Sequence, residues 1–413
     1  MMGSGERAAD GGRGDVIYLD NAATSFPKAP GVGAAIARFV DEAAANPGRA
    51  GHRMAVAAEG RIGRVRRLLA ELLGVDEPER LIFTLNCTDA LNVGIKGVLP
   101  AAGETPCHVV TTHLEHNSVS RPLEALHQRG VIRLTRVDSD SRGMVDPEDV
   151  AQAMREDTRL VVVSHASNVL GTLQDAAAIG RVVRDHGALF LLDAAQTAGL
   201  VDLDVTELRA DLVALPGHKG LLGPTGVGAL YVGPRCLPVE DVHGADGQWD
   251  PTFRAWREGG TGGDSSSPLQ PRALPHFLEA GTPNTLGLAG LEAALDYLRS
   301  PQGQAAQERE KEVVAQLLGA LEELQGVTVL GMKGTEGRVG VVSIQLDGWD
   351  PMEAASVLDE GFGIAVRAGL HCSPGAHRQL GTFPQGTLRL SPGPFTRPEE
   401  IDAACAALGE LMA

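Results

Sequence analysis

Leu160-Val161-Val162-Val163-Ser164, Ala188-Leu189-Phe190-Leu191-Leu192-Asp193 and Leu212-Val213-Ala214-Leu215 are apolar runs without polar alternation, inside a chain of 413 residues. A strand of this kind is buried on both faces, as in a parallel sheet covered by helices. Residues 176–186, between the first two runs, have helical periodicity. Upstream the alternation repeats. Residues 81–84, 109–112 and 131–137 read as strands, and residues 88–98, 119–129 and 147–155 as helices. Residues 227–232 add a further strand. The pattern predicts an α/β fold with a mainly parallel central sheet and right-handed crossovers.

Before this block, residues 16–20 read as a strand, 31–45 as a helix and 54–73 as a long amphipathic helix. After it, residues 238–275 are rich in Gly, Ser and Pro and carry Trp249 and Trp256. They read as a long irregular loop. Helices follow at 286–298 and 304–324. From about residue 327 the pattern becomes strand, strand, helix, strand, loop, strand, helix, ending in a helix at 398–412. The expected division is a large domain at 16–300 and a smaller C-terminal α+β domain at 301–413. The first segment is expected to pack with the small domain. Residues 1–15 are polar and Gly-rich, lack the apolar core of a secretory signal, and read as a disordered leader.

The formal charge of −17 argues against a nucleic-acid partner. It leaves room for a small anion held by backbone N–H groups. No apolar run reaches transmembrane length. The five cysteines are odd in number and include no C-x-x-C pair. They point to a reducing cytoplasm without structural disulfides.

Asp193 ends an apolar strand, and ligands of parallel sheets bind at the carboxyl ends of strands. Lys219 follows another, in Pro216-Gly217-His218-Lys219-Gly220. Taken singly, Asp193 is more commonly an N-cap or loop residue and Lys219 a solvated turn lysine. Together they fit one chemistry. A pyridoxal-phosphate (PLP) enzyme needs a Schiff-base lysine and an acid paired with the pyridine nitrogen. Thr84-Leu85-Asn86-Cys87-Thr88-Asp89-Ala90 joins a strand to a helix, suited to a phosphate or to an ordinary cap. His116 follows a strand and reads as a ring stacked on the cofactor or as a surface histidine. Asn168 reads as a partner of the cofactor's phenolic oxygen or as a turn residue. Cys372, in Arg367-Ala368-Gly369-Leu370-His371-Cys372-Ser373-Pro374-Gly375, lies in a turn-rich loop beside a histidine and reads as a thiolate that local positive charge would stabilise, or as a small apolar-like cysteine, which the loop context disfavours. Arg389 is a candidate clamp for a substrate carboxylate, or one half of a surface ion pair.

With these residues in place, the chain resembles the cysteine desulfurases of the class V aminotransferase superfamily, PLP fold type I, nearer to the SufS-like enzymes and selenocysteine lyases. The resemblance runs from Tyr18 to Leu411. It rests on the ordered set Leu-Asp-Asn-Ala-Ala-Thr, Glu-His, Ser-Asn-Val-Leu-Gly, Asp-Ala-Ala-Gln, Gly-His-Lys, Glu-Ala-Gly-Thr-Pro-Asn and Arg-Ala-Gly-x-His-Cys. It implies that Lys219 carries the Schiff base and Asp193 partners the pyridine nitrogen. Gln196 and Asn168 would contact the phenolic oxygen, and His116 would stack on the ring. Thr88 and His218 would bind the phosphate, with Thr282 reaching the phosphate of a second subunit in a homodimer. Ala23, Asn168 and Arg389 would lie near the substrate carboxylate. Cys372 would receive sulfur from L-cysteine as a persulfide, leaving L-alanine, and would pass it to an acceptor protein. L-selenocysteine could follow the same route. Alternatives are another class V lyase, epimerase or transaminase with Cys372 idle, or a non-catalytic sulfur-relay scaffold. Two positions depart from many relatives. Pro216 replaces a phosphate-binding Ser or Thr, and Thr396 replaces an Asn after the aromatic of the last turn.

Overall fold

The computed structural model describes residues 16–48, 51–100, 104–237, 253–261 and 268–413. The elements, in order, are β1 (Ile17–Tyr18), α1 (Val32–Ala43), α2 (Arg53–Leu72), β2 (Leu81–Thr84), α3 (Cys87–Val98), β3 (Cys107–Thr112), α4 (Asn117–Gln128) and β4 (Ile132–Val137). Then come α5 (Pro147–Ala153), β5 (Thr158–Ser164), α6 (Ala176–His186), β6 (Leu189–Asp193), β7 (Leu212–Pro216), β8 (Gly228–Val232), α7 (Thr285–Leu298) and α8 (Pro301–Glu323). The chain ends with β9 (Val327–Val329), β10 (Val342–Leu346), α9 (Pro351–Phe362), β11 (Ile364–Ala365), β12 (Arg367–Gly369), α10 (Pro374–Gln379), β13 (Thr387–Leu390) and α11 (Pro398–Met412).

The central sheet has seven strands in the order β2-β8-β7-β6-β5-β3-β4. Only β8 runs against its neighbours; the other pairings are parallel, as the apolar runs predicted. The absence of polar alternation has a direct cause. Phe190, Leu192, Val213 and Leu215 enter one core with Leu69, Ile179, Val183 and Leu291 of the helices on that side. Leu189, Leu191, Leu212 and Ala214 enter a second core with Leu91, Ile95, Val119 and Leu123 on the other. Both faces of the sheet are therefore dry.

Register then places the chemistry. Ser164 pairs with Asp193, and Asp193 with Ala214, so the carboxyl ends of β5, β6 and β7 lie side by side. Thr84 and Pro216 both pair with Gly228, bringing the start of α3 to the same edge.

The second sheet, β12-β13-β10-β9, is antiparallel and packs on α8, α9 and α11. β1 pairs in parallel with β11, and Leu19 enters that core. The chain then crosses to the central sheet, where Ser25 N–H donates to the His218 carbonyl at 3.0 Å. The strand expected at 16–20 is only two residues long, since beyond Leu19 the backbone leaves β11 and Asp20 bridges instead to Ser391. Part of the loop expected after Cys372 is helical, because Pro374 starts the short helix α10. The leader at 1–15 lies outside the described residues, as do 238–252 and 262–267 of the irregular loop. No described helix is long and apolar enough to cross a membrane. All five cysteines are free.

Candidate active site

Thr88, His116, Asn168, Asp193, Gln196, His218 and Lys219 line one cavity at the carboxyl edge of the central sheet. Ala23 and Pro216 share its wall. These residues come from six separate stretches of chain, brought together by strand register and by the crossover after β1.

Lys219 makes no hydrogen bond or ion pair among the described residues. The surface it keeps belongs to the cavity wall. Burial lowers its pKa, against the attraction of Asp193. An ammonium without a partner is costly to bury, so this position favours the neutral, nucleophilic amine. Asp193 is 3% exposed. Its Oδ1 accepts from the Ala195 N–H at 2.9 Å and from the Cys87 thiol at 3.6 Å. Its Oδ2 accepts no hydrogen bond among the described residues. Burial raises the Asp193 pKa, opposed by the Ala195 N–H, Lys219 and Cys87. A cationic hydrogen-bond donor at Oδ2 would offset that cost.

His116 caps α4, its Nδ1 accepting from Ser118 N–H at 3.1 Å. Burial, with the charge of Lys219, lowers its pKa to about 4, so the ring is neutral at pH 7. The adjacent Glu115 is fully buried. It accepts from Thr112 Oγ1 at 2.7 Å and Ser164 Oγ at 2.8 Å, and burial raises its pKa to about 7. Gln196 Nε2 donates to the Ala22 carbonyl at 3.1 Å. His218 Nδ1 lies 3.0 Å from Thr24 Oγ1, and burial again lowers its pKa to about 4. Thr88 sits in the first turn of α3, where free N–H groups and the helix dipole suit an anion. Pro216 contributes no donor there.

Cys372 is half-buried on a tightly held turn. His371 and Cys372 have φ of 47° and 61°, a left-handed pair that side chains with a Cβ rarely adopt. Hydrogen bonds hold the turn at both carbonyls. Asn168 Nδ2 donates to His371 O at 2.6 Å, and Asn117 N–H to Cys372 O at 2.7 Å. Ser373 Oγ donates to Asn168 Oδ1 at 2.7 Å. Asn168 therefore belongs both to the cavity wall and to the cysteine turn, joining the two.

Arg389 is 2% exposed and does not line the cavity. It donates to Asn168 O at 2.9 Å and to Asp20 Oδ1 at 2.8 Å, while its Nε is buried without a partner. The neighbouring Arg367 carries no ion pair among the described residues, and its charge is felt at Lys219 and His116. Thr282 lies apart from the cavity, exposed, with its hydroxyl 3.2 Å from Asn46 Oδ1. Thr396 Oγ1 accepts from Gly393 N–H at 2.9 Å, a turn-closing bond that an Asn also makes. Sequence reading missed Cys87, Glu115, Ser164 and Ser373. Cys87 had a signal in its position at the first turn of the helix beside the anion site, and Glu115 in the Glu-His motif.

Residues 17–404 match the family model for aminotransferase class-V. A probable cysteine desulfurase of Methanothermobacter thermautotrophicus is 34% identical over 96% of this chain and 95% of its own. The cysteine desulfurase IscS of Vibrio cholerae is 32% identical over 94% of this chain and 90% of its own. Among solved structures, the apo cysteine desulfurase of Thermococcus onnurineus superposes with a TM-score of 0.86 at 31% identity, covering 96% of this chain and 95% of that one. The cysteine desulfurase CsdA of Escherichia coli gives 0.82 at 25% identity, covering 97% and 96%. With its parallel sheet, its Lys219–Asp193 cavity and relatives that span nearly its whole length, this chain belongs to the aminotransferase class-V family, among the cysteine desulfurases.

Proposed function

We propose that this protein is a PLP-dependent cysteine desulfurase that converts L-cysteine to L-alanine and carries the sulfur on Cys372. The observation that supports it most is the link between two sets of groups. Lys219 and Asp193 share one cavity, and Asn168 in its wall also holds the turn of Cys372.

The donor set fits PLP. Asp193 offers an unclaimed carboxylate oxygen to a protonated ring nitrogen, and Lys219 an amine without a partner to the aldehyde. The start of α3 with Thr88, and His218, would take the phosphate. His116 would cover the ring, and Gln196 and Asn168 would face its phenolic oxygen. When bound, PLP captures the substrate amine and draws electron density from its α-carbon. Lys219, released by the substrate, takes the α-proton. Ala23 and Asn168 on the cavity wall would face the substrate carboxylate, with Arg389 behind them on the Asn168 carbonyl. Cys372 attacks the substrate sulfur as thiolate. The new S–S bond forms as the substrate C–S bond breaks; the bonding electrons leave with carbon, which takes a proton on the way to alanine. Cys372 keeps the sulfur as a persulfide for an acceptor protein or thiol. L-selenocysteine fits the same groups. Five free cysteines suit a reducing, cytoplasmic setting.

Borohydride reduction followed by peptide mapping tests the reading. The pyridoxyl mass should appear on Lys219, and L-cysteine should give equal alanine and Cys372 persulfide in one turnover. A pyridoxyl group on any other residue overturns it.

A further inference from the structure

Cys87 lines the cavity of Lys219 and Asp193, and nothing in the reaction above uses it. It is the first residue of α3 and faces the end of β6, which is 106 residues away in sequence. Its surroundings leave it little freedom. Asn86 caps the helix by accepting from Asp89 N–H at 2.9 Å, and Thr84 Oγ1 donates to Asn86 O at 3.0 Å. On the other side, the Asn86 backbone presses on β8 so closely that a Cβ at Gly228 would lie 2.5 Å from it. The sulfur so placed sits 3.6 Å from Asp193 Oδ1, the oxygen that also accepts from the Ala195 N–H.

We infer that Cys87 is a positioning residue that acts through Asp193: its thiol donates to Oδ1 and turns Oδ2 toward the cavity. The inference rests on the PLP reading, because Oδ2 is the atom proposed to meet the ring nitrogen. A carboxylate that holds a cationic ring must not swing. One backbone donor on Oδ1 leaves rotation about the Cβ–Cγ bond opposed by a single contact. A second donor from a different element fixes the plane of the group. The thiol is kept as S–H by its setting. It is buried, and Asp193 stands against the formation of a second negative charge beside it, so its pKa lies well above the usual value. Cys87 is therefore a donor and not a second nucleophile, which leaves sulfur acceptance to Cys372.

The test uses the holoenzyme and two variants, Cys87→Ala and Cys87→Ser. The readouts are the pH titration of the long-wavelength cofactor band and the rate of PLP loss to an apo acceptor. The alanine variant should shift the titration and release PLP about fivefold faster, the worth of one modest hydrogen bond. The serine variant, whose hydroxyl also donates, should return both toward wild type. Thermal melts of the apo proteins separate a general packing defect from this effect. If the titration of Cys87→Ala superimposes on that of wild type, or if Ser and Ala shift it alike in equally stable proteins, the inference fails. A wild-type protein without a cofactor band would instead sink the PLP reading itself.

Discussion

At Cys372 the backbone is held in a conformation that its side chains disfavour, at a cost of order 1–3 kcal/mol per residue. The hydrogen bonds to His371 O and Cys372 O, with Ser373 locking the Asn168 amide, sustain it. Such a turn presents the sulfur in one place. Replacing Cys372 with Ala should leave the yellow colour and the spectral response to L-cysteine intact, since the cofactor residues lie elsewhere in the chain. Alanine formation from L-cysteine should fall to the background of free PLP with cysteine, measured by amino-acid analysis. Desulfuration at the wild-type rate by this variant would remove Cys372 from the reaction. The residues of this site were unequally legible. Lys219 and Asp193 were weak signals singly and became legible as a pair, because a strand-end acid and a lysine in a Gly-rich turn together match one cofactor chemistry. Cys87 and Glu115 did not become so, since their partners are set by register between distant strands. Arg389 was read as a carboxylate clamp from its motif; its contacts with Asp20 and Asn168 depend on the crossover after β1, which periodicity does not reveal.

At the scale of elements, α8 carries an anomaly. Glu310 is buried among Val314, Gly340 and Pro392, and its Oε2 has no hydrogen-bond partner. Burial alone raises its pKa to about 8. The unfolded chain ionises this carboxyl near pH 4.5, while the folded chain keeps it protonated until about pH 8. Its effect on stability is therefore absent below pH 4.5, grows as a penalty between the two values, and is constant above them. We expect Glu310→Leu to gain stability over wild type as pH rises from 5 to 8, by on the order of 3 kcal/mol, read from denaturant midpoints. Parallel curves for the two proteins would show that Glu310 finds a polar partner in solution. Helical periodicity placed residues 304–324 correctly enough, and it marked Glu310 as one charged residue among many. What it could not show is that the approach to β10 and the turn after β13 close over that position.

At the scale of the whole molecule, the predicted site residue Thr282 lies away from its own chain's cavity. Thr282 stands on a segment anchored firmly from below. Glu279 pairs with Arg66 through bonds of 2.8 and 2.9 Å and accepts from Phe83 N–H at 2.6 Å. Arg66 also stacks on Phe83, with 4.5 Å from its guanidinium to the ring. Breaking a buried pair of this kind costs about 3–5 kcal/mol, so the segment has a single position. Yet the Thr282 hydroxyl is exposed and points to no group of the Lys219 cavity. A rigidly held residue on the surface is suited to meet something outside its own chain. We therefore expect a symmetric homodimer in which each Thr282 serves the phosphate of the partner's cofactor. Two inactive variants make the test sharp. Lys219→Ala removes the anchor of its own site, while Thr282→Asp sets a carboxylate against the phosphate of the other. In a mixed dimer one site receives both defects and the other receives neither. Random re-pairing of equal amounts gives mixed dimers about half the time, each with one sound site of two, so about a quarter of wild-type activity should return. If Thr282 acted within its own chain, every mixed dimer would carry one defect per site and no activity would return on mixing. Light scattering that finds a fully active monomer would end the argument earlier.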